Sequence, residues 1–402
     1  MAILHPFKAW RPIPDTVEEI ACVPYDVISV EEARTLAEGK PKSFLHVIRP
    51  EIDLPEGTDP HEDRVYEKGA ENLKEFLIDG TLHQEDTPHV YVYQLIRQGR
   101  PQTGIFSCVS VDDYNKEIIL KHELTRPKKE DDRTRHLLTQ QAHAEPVMLT
   151  YKDDERTQEL IDETVQQEPL FNFEAEDGVV HKVWRASDSD AFVEAFSSIP
   201  NLYIADGHHR CKSASRAAAV EKEKNDAHTG DEEYNFFPAV LFPMSNMNIM
   251  AYNRIVHSIP DNFIETLGQK FELTAGAASS PSQKGNISIY INNKWYALEL
   301  PIADNPNSVE QLDVHRLQEH LLSPLLDITD PRRDNNISFV GGIRGTEELE
   351  KLVNNGDAQM AISMYPTSIE ELVEVSDEGL LMPPKSTWFE PKLRSGLLVH
   401  TF

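Results

Sequence analysis

Asn201-Leu202-Tyr203-Ile204-Ala205-Asp206-Gly207-His208-His209-Arg210 ends an apolar run in a glycine turn crowded with polar side chains. The residues that follow, from Cys211 to Val220, are rich in strong helix formers and contain no proline. The local reading is strand, tight turn, helix. Such a turn aims free backbone N–H groups and the positive end of a helix dipole at whatever sits over it, and Arg210 adds a planar fork of donors suited to phosphate. The bland alternative is a satisfied turn, with Gly207 taking a positive φ and Asp206 serving as cap.

Around this stretch the chain has 402 residues, enough for two or three domains with a substantial core. With 39% hydrophobic and 27% charged residues it reads as globular. The net charge of −29 weighs against a nucleic-acid binder and against an anionic membrane surface as partner. Local basic clusters are therefore informative: Arg210 to Lys212, Lys121 to Arg135 and Lys385 to Arg394. Cys22, Cys108 and Cys211 are widely spaced and odd in number, which suggests neither a disulfide framework nor a cysteine zinc site and fits a reducing cytoplasm. Residues 1–11 lack the pattern of a signal peptide, and no apolar run reaches membrane-spanning length.

Periodicity predicts a mixed α/β chain. Ser29 with Glu32 marks a capped helix, Ser43 to Ile48 a strand, and Glu62 to Leu77 a helix. His89 to Ile96 and Thr103 to Val109 flank turn residues and predict a hairpin. Ile118 to Leu120 is a strand leading through Lys121-His122-Glu123-Leu124-Thr125 and Pro127 into a charged helix. Val179 to Arg185 reads as a strand and Asp188 to Ser197 as a capped helix, before the glycine turn. Further on, Ile287 to Leu300 predicts a short-loop hairpin, and helices and strands alternate from Val309. Three parts are expected: 1–150, 151–235 with the glycine turn, and 236–402, whose Met382-Pro383-Pro384-Lys385-Ser386-Thr387-Trp388-Phe389 tail would return to the site.

Asp206-Gly207-His208-His209-Arg210 resembles the signature of the ParB/sulfiredoxin-like superfamily, whose members bind nucleotide phosphates at this turn and include free-serine kinases. Together with Pro24-Tyr25-Asp26-Val27-Ile28, His46-Val47-Ile48-Arg49-Pro50-Glu51, Lys121 to Thr125 and Met382 to Phe389, it also resembles the bacterial and archaeal domain-of-unknown-function family 1015. The resemblance implies a ParB/sulfiredoxin-like nucleotide-binding core with additional α/β and β-rich segments. His208 stands where a sulfiredoxin-like reductase carries its attacking cysteine, and −29 disfavours a DNA clamp. What the resemblance leaves is nucleotide-dependent phosphoryl transfer to a small hydroxylated metabolite, free L-serine first, with the phosphoserine-to-serine direction open.

On that reading Gly207, His208, His209, Arg210 and the helix N-terminus hold the phosphates of ATP or ADP. Lys385, Ser386, Thr387 or Lys392 close over the transferred group. Asp206 or Glu123 takes the substrate proton, and Asp26, His122 and Arg49 contact substrate. Mg²⁺ would bridge phosphate oxygens through one carboxylate, because this reaction depends on positioning and charge neutralisation. No His-Glu-x-x-His spacing or cysteine pair predicts a transition-metal site. The other class of function is a non-catalytic nucleotide sensor built on the same cradle.

Overall fold

The computed structural model describes residues 1–402 and has mixed α/β architecture. It divides into two compact units, one comprising 1–247 with 391–402 and the other 248–390. The divisions expected at 150 and 235 both fall inside the first unit. The physical reason is a single sheet that draws its strands from both sides of each division.

That sheet contains β1 (Leu4–His5), β2 (Tyr91–Arg97), β3 (Arg100–Ser110), β4 (Ile119–Leu120), β5 (Val147–Tyr151), β6 (Phe171–Glu174), β7 (Val180–Arg185), β8 (Leu202–Asp206) and β9 (Phe236–Pro243). Its order is β4-β8-β5-β9-β3-β2-β7-β6, with β1 on β3. β8 runs parallel to β4 and β9 parallel to β5, whereas the remaining pairs are antiparallel. Alternation decides which side chains go where. Phe237, Ala239 and Leu241 of β9 join Leu149, Ile204, Phe192 and Phe196 in one core layer beneath the flanking helices.

Two turns show how local chemistry sets register. Gln98 and Gly99 both have positive φ and join β2 to β3 in a two-residue loop, so pairing runs on through Arg100 and Pro101 beyond the expected hairpin. Ser29 and Glu32 form the predicted capping box. The strand expected over Ser43 to Ile48 is instead a helical turn, Leu45–Ile48. Phe44, Leu45, Val47 and Ile48 are all buried, and a short all-apolar run carries no period that separates strand from helix.

The second unit is organised on β10 (Tyr252–Val256), β11 (Thr274–Ala275), β12 (Asn286–Ile291), β13 (Lys294–Glu299), β14 (Ile337–Gly341) and β15 (Met360–Ser363). Their order is β11-β13-β12-β15-β10-β14, all antiparallel. The predicted hairpin β12–β13 turns at Asn292 and Asn293, both at positive φ. Phe263, Leu267, Ile289, Leu317, Leu321 and Ile362 fill its larger core. No helix of the chain is long and apolar enough to cross a membrane.

Candidate functional site

The strand–turn–helix read from the sequence is present. β8 ends at Asp206, Gly207 adopts φ 103°, and a helix runs from His208 to Lys224. The pairing of β8 with β5 shifts register between Ile204 and Asp206, which locally bends the strand end. Gly207 itself caps the helix and no side chain does, so Asp206 is not the cap. The first-turn N–H groups therefore have no side-chain acceptor from the cap. A Cβ on Gly207 would lie 3.1 Å from both Arg210 Nε and Val147 Cγ1, so glycine is required by the backbone angle and by the close fit.

Asp206 faces two cations. Lys392 Nζ is 3.3 Å from its Oδ2 and Arg210 Nη2 is 3.7 Å from the same atom. Burial acts to raise the Asp206 pKa, but Lys392 and Arg210 outweigh it and hold the carboxyl at about 2. Arg210 also donates through Nη1 to the Pro146 carbonyl, and its Nε has no hydrogen-bond partner. Burial opposes its charge, whereas Asp206, Asp26 and Glu145 reinforce it, and the balance raises its pKa.

The two histidines point in different directions from those the sequence suggested. His208 is buried, with its Nε2 accepting the His122 amide N–H at 3.3 Å and its ring edge-on to His122 at 4.4 Å. His122 is itself fully buried, and burial lowers its pKa to about 4. These two rings support the turn from within. His209 accepts the Arg126 amide N–H through Nε2 at 3.1 Å, pinning the start of the helix Pro127–Gln140. Burial, followed by the Lys129 and Arg126 charges, lowers its pKa to about 4, so it is neutral at pH 7.

The small residues after the turn explain how these helices approach. Ser213 is fully buried and donates to the Glu130 carbonyl at 3.2 Å, while Arg216 reaches Glu130 and Asp131. The predicted segments Pro24 to Ile28 and His46 to Glu51 meet nearby. Arg49 donates to the Tyr25 carbonyl at 3.0 Å and pairs with Glu51 at 2.9 Å, so it buttresses the loop that carries Asp26. Asp26 is exposed, and its charge acts on both Arg210 and His209. Glu123 is half-buried on the loop after β4.

Sequence reasoning missed Glu145. This carboxylate accepts the Tyr25 N–H at 3.1 Å and the Ser395 hydroxyl at 3.3 Å. Burial raises its pKa against the pull of Arg210 and Arg133. Arg133 lies 4.1 Å from the Tyr25 ring centroid and pairs with Asp132. Arg133, Glu145 and Arg210 border a small cavity of about 40 Å³, room for a few waters. Arg133 lay within the basic run Lys121 to Arg135; Glu145, directly before a proline and an apolar strand, carried no local signal.

Lys392 lies in the first unit, on the segment 391–402, whereas Lys385, Ser386 and Thr387 belong to the second. Ser386 is buried, and its hydroxyl donates to the Pro383 carbonyl at 2.6 Å. No cluster of three or more His, Cys, Asp or Glu residues is arranged to hold a metal ion.

Among solved structures, the chain resembles a free serine kinase in complex with AMP, at 12% identity and a TM-score of 0.36, over 71% of this chain and 86% of that one. It resembles a C-terminally truncated SbnI from Staphylococcus aureus at 13% identity and a TM-score of 0.39, over 73% and 87%. A conserved hypothetical protein from Pyrococcus furiosus aligns at 12% identity and a TM-score of 0.36, over 73% and 92%. No curated protein matches. A family model matches residues 4–315, most of the chain, and the protein belongs to the family described as "Protein of unknown function (DUF1015)".

Proposed function

We propose that this site binds a nucleotide by its phosphates and transfers a phosphoryl group to or from a small hydroxylated metabolite, with free L-serine and phosphoserine as the first pair to test. The observation that carries the reading is the arrangement of Asp206 between Lys392 and Arg210, beside a glycine-led helix N-terminus. The helix end supplies N–H donors, Arg210 and Lys392 supply positive charge, and Asp206 fixes the positions of both cations. The choice of serine comes from the resemblance of the Asp206 to Arg210 motif alone.

An ion-paired carboxylate at about pKa 2 is a weak base, so Asp206 acts as an organiser of cations. Proton removal from the substrate hydroxyl falls to Asp26, exposed and within the field of Arg210, or to Glu123. His209, neutral and bound to the Arg126 amide, holds the neighbouring basic loop in place. When bound, Mg²⁺ would neutralise phosphate charge, held largely by the phosphate oxygens and water.

The test is phosphorus NMR on the purified protein with Mg²⁺ and L-serine plus ATP or ADP, repeated with phosphoserine plus ADP or AMP. Formation or loss of phosphoserine in the wild type, abolished in Arg210→Lys with the circular dichroism spectrum retained, is expected. Nucleotide binding without turnover of any hydroxylated acceptor would favour the sensor reading.

A further inference from the structure

The second unit contains a buried cation that no side chain of the protein neutralises. Arg254, on β10, is 2% exposed. Its Nη1 donates to the Tyr252 carbonyl and its Nη2 to the Lys385 carbonyl, the latter at 3.0 Å, and it forms no ion pair. Its guanidinium lies 5.6 Å from the Phe339 ring centroid. Burial lowers its pKa to about 10, which leaves it charged at neutral pH.

Other buried arginines of this chain are treated differently. Arg11 meets Glu85 at 2.5 Å, Arg316 meets Asp313 at 3.1 Å, and Arg394 meets Asp177 at 2.6 Å. A desolvated charge without a counter-charge is costly, and this protein elsewhere supplies one. With 68 acidic residues against 39 basic ones, carboxylates are not scarce.

A second cation stands beside the first. Lys385 adopts φ 61°, a left-handed conformation rare for a side-chain-bearing residue. That conformation delivers its carbonyl to Arg254 while its ammonium lies 5.1 Å from the Tyr252 ring centroid. Lys385 likewise has no carboxylate partner. Trp388 packs edge-on against Tyr252 at 5.0 Å and gives its indole N–H to Glu390 at 2.9 Å, so this carboxylate is drawn toward the indole. The result is two cations over one aromatic pair, the Tyr252 and Phe339 rings standing 5.9 Å apart.

We propose that Arg254 and Lys385, over Tyr252 and Phe339, form a binding site for a small phosphate-class oxyanion, either free phosphate or the phosphate group of a phosphorylated metabolite. Two positive charges match a dianion, and the remaining guanidinium N–H donors match its oxygens. All four residues belong to the second unit, and binding there does not require phosphoryl transfer at Asp206.

The experiment follows the Trp388 indole N–H resonance and the thermal midpoint of the full-length protein while inorganic phosphate, phosphoserine or acetate is added at constant ionic strength. Wild type and the Arg254→Met, Lys385→Met and Arg210→Lys variants are compared. Phosphate should shift the Trp388 signal and raise the midpoint in wild type and in Arg210→Lys, which separates this site from the one at Gly207. Lys385→Met should weaken the response at least about tenfold, the loss of one charge-assisted contact. Arg254→Met should abolish it while melting no lower than wild type without phosphate, because it removes an unpaired buried ion. Tighter binding of phosphoserine than phosphate would assign the metabolite source, and equal binding the free ion. An unchanged phosphate response in Lys385→Met, or an acetate response equal to that of phosphate, would overturn the proposal even if Arg254→Met failed to fold.

Discussion

Lys392 Nζ sits 3.3 Å from Asp206 Oδ2, joining two residues 186 positions apart in the chain. Both side chains are largely buried, at 16% and 29% exposure, so the contact is better shielded than a surface ion pair. Lys392→Met leaves Asp206 with Arg210 as its remaining cation partner in this arrangement. On the proposed function, the variant keeps its fold and binds nucleotide at least about tenfold more weakly, as one charge-assisted contact is lost. Isothermal titration with ADP, alongside circular dichroism, checks both halves of that statement.

Gly207→Ala tests the turn itself. Alanine would be held at φ 103° with its Cβ against Arg210 and Val147. Strain of this kind costs about 1–3 kcal/mol, so urea unfolding should show a loss of that size. Nucleotide affinity should fall as well, because Arg210 is the group displaced.

Asp26→Asn separates binding from chemistry. Asp26 is exposed, and the substitution preserves its shape. If Asp26 takes the substrate proton, turnover falls by about 10²–10⁴-fold. ADP binding then changes much less than turnover. A variant with full turnover would move the role to Glu123.

Acid stability follows from the buried histidines. Burial brings His122 to about 4 and His181 to about 3, and burial with Lys129 and Arg126 brings His209 to about 4, each from an ordinary 6.5. The unfolded chain binds these protons at a higher pH than the folded one does. Their stabilising contribution is complete above about 6.5 and is lost as pH falls from there toward 4 and 3. Calorimetry should therefore show a falling thermal midpoint below pH 6.5, with net proton uptake on unfolding at pH 5. Between pH 7 and 8 these histidines should contribute no slope.

The turn at Asp206 to Arg210 was legible because every requirement was local: an apolar strand, a glycine, then helix formers. The Ser29–Glu32 capping box and the Asn292-Asn293 hairpin were legible for the same reason. The roles within the turn were not. His208 and His209 are adjacent in sequence, yet one supports the turn from the interior and the other binds the Arg126 amide, a difference set by helix phase and by distant neighbours. Glu145 was invisible because its importance lies in Tyr25, Arg210 and Ser395, scattered along the chain. The division into units was not legible either, because strand pairing between residues 147–151 and 236–243 leaves no periodic trace in sequence.

The chain leaves the first unit after Met247 and re-enters it at Pro391. During synthesis from the N-terminus, everything needed for the nine-stranded sheet is made before residues 248–390, but Lys392 and Ser395 follow them. The nascent sheet must wait with Asp206 and Glu145 lacking these partners until a whole intervening unit has been translated. A ribosome stalled anywhere in 248–390 would thus carry every strand of the sheet beside an unfinished site, so the order of translation itself sets when Asp206 and Glu145 are completed.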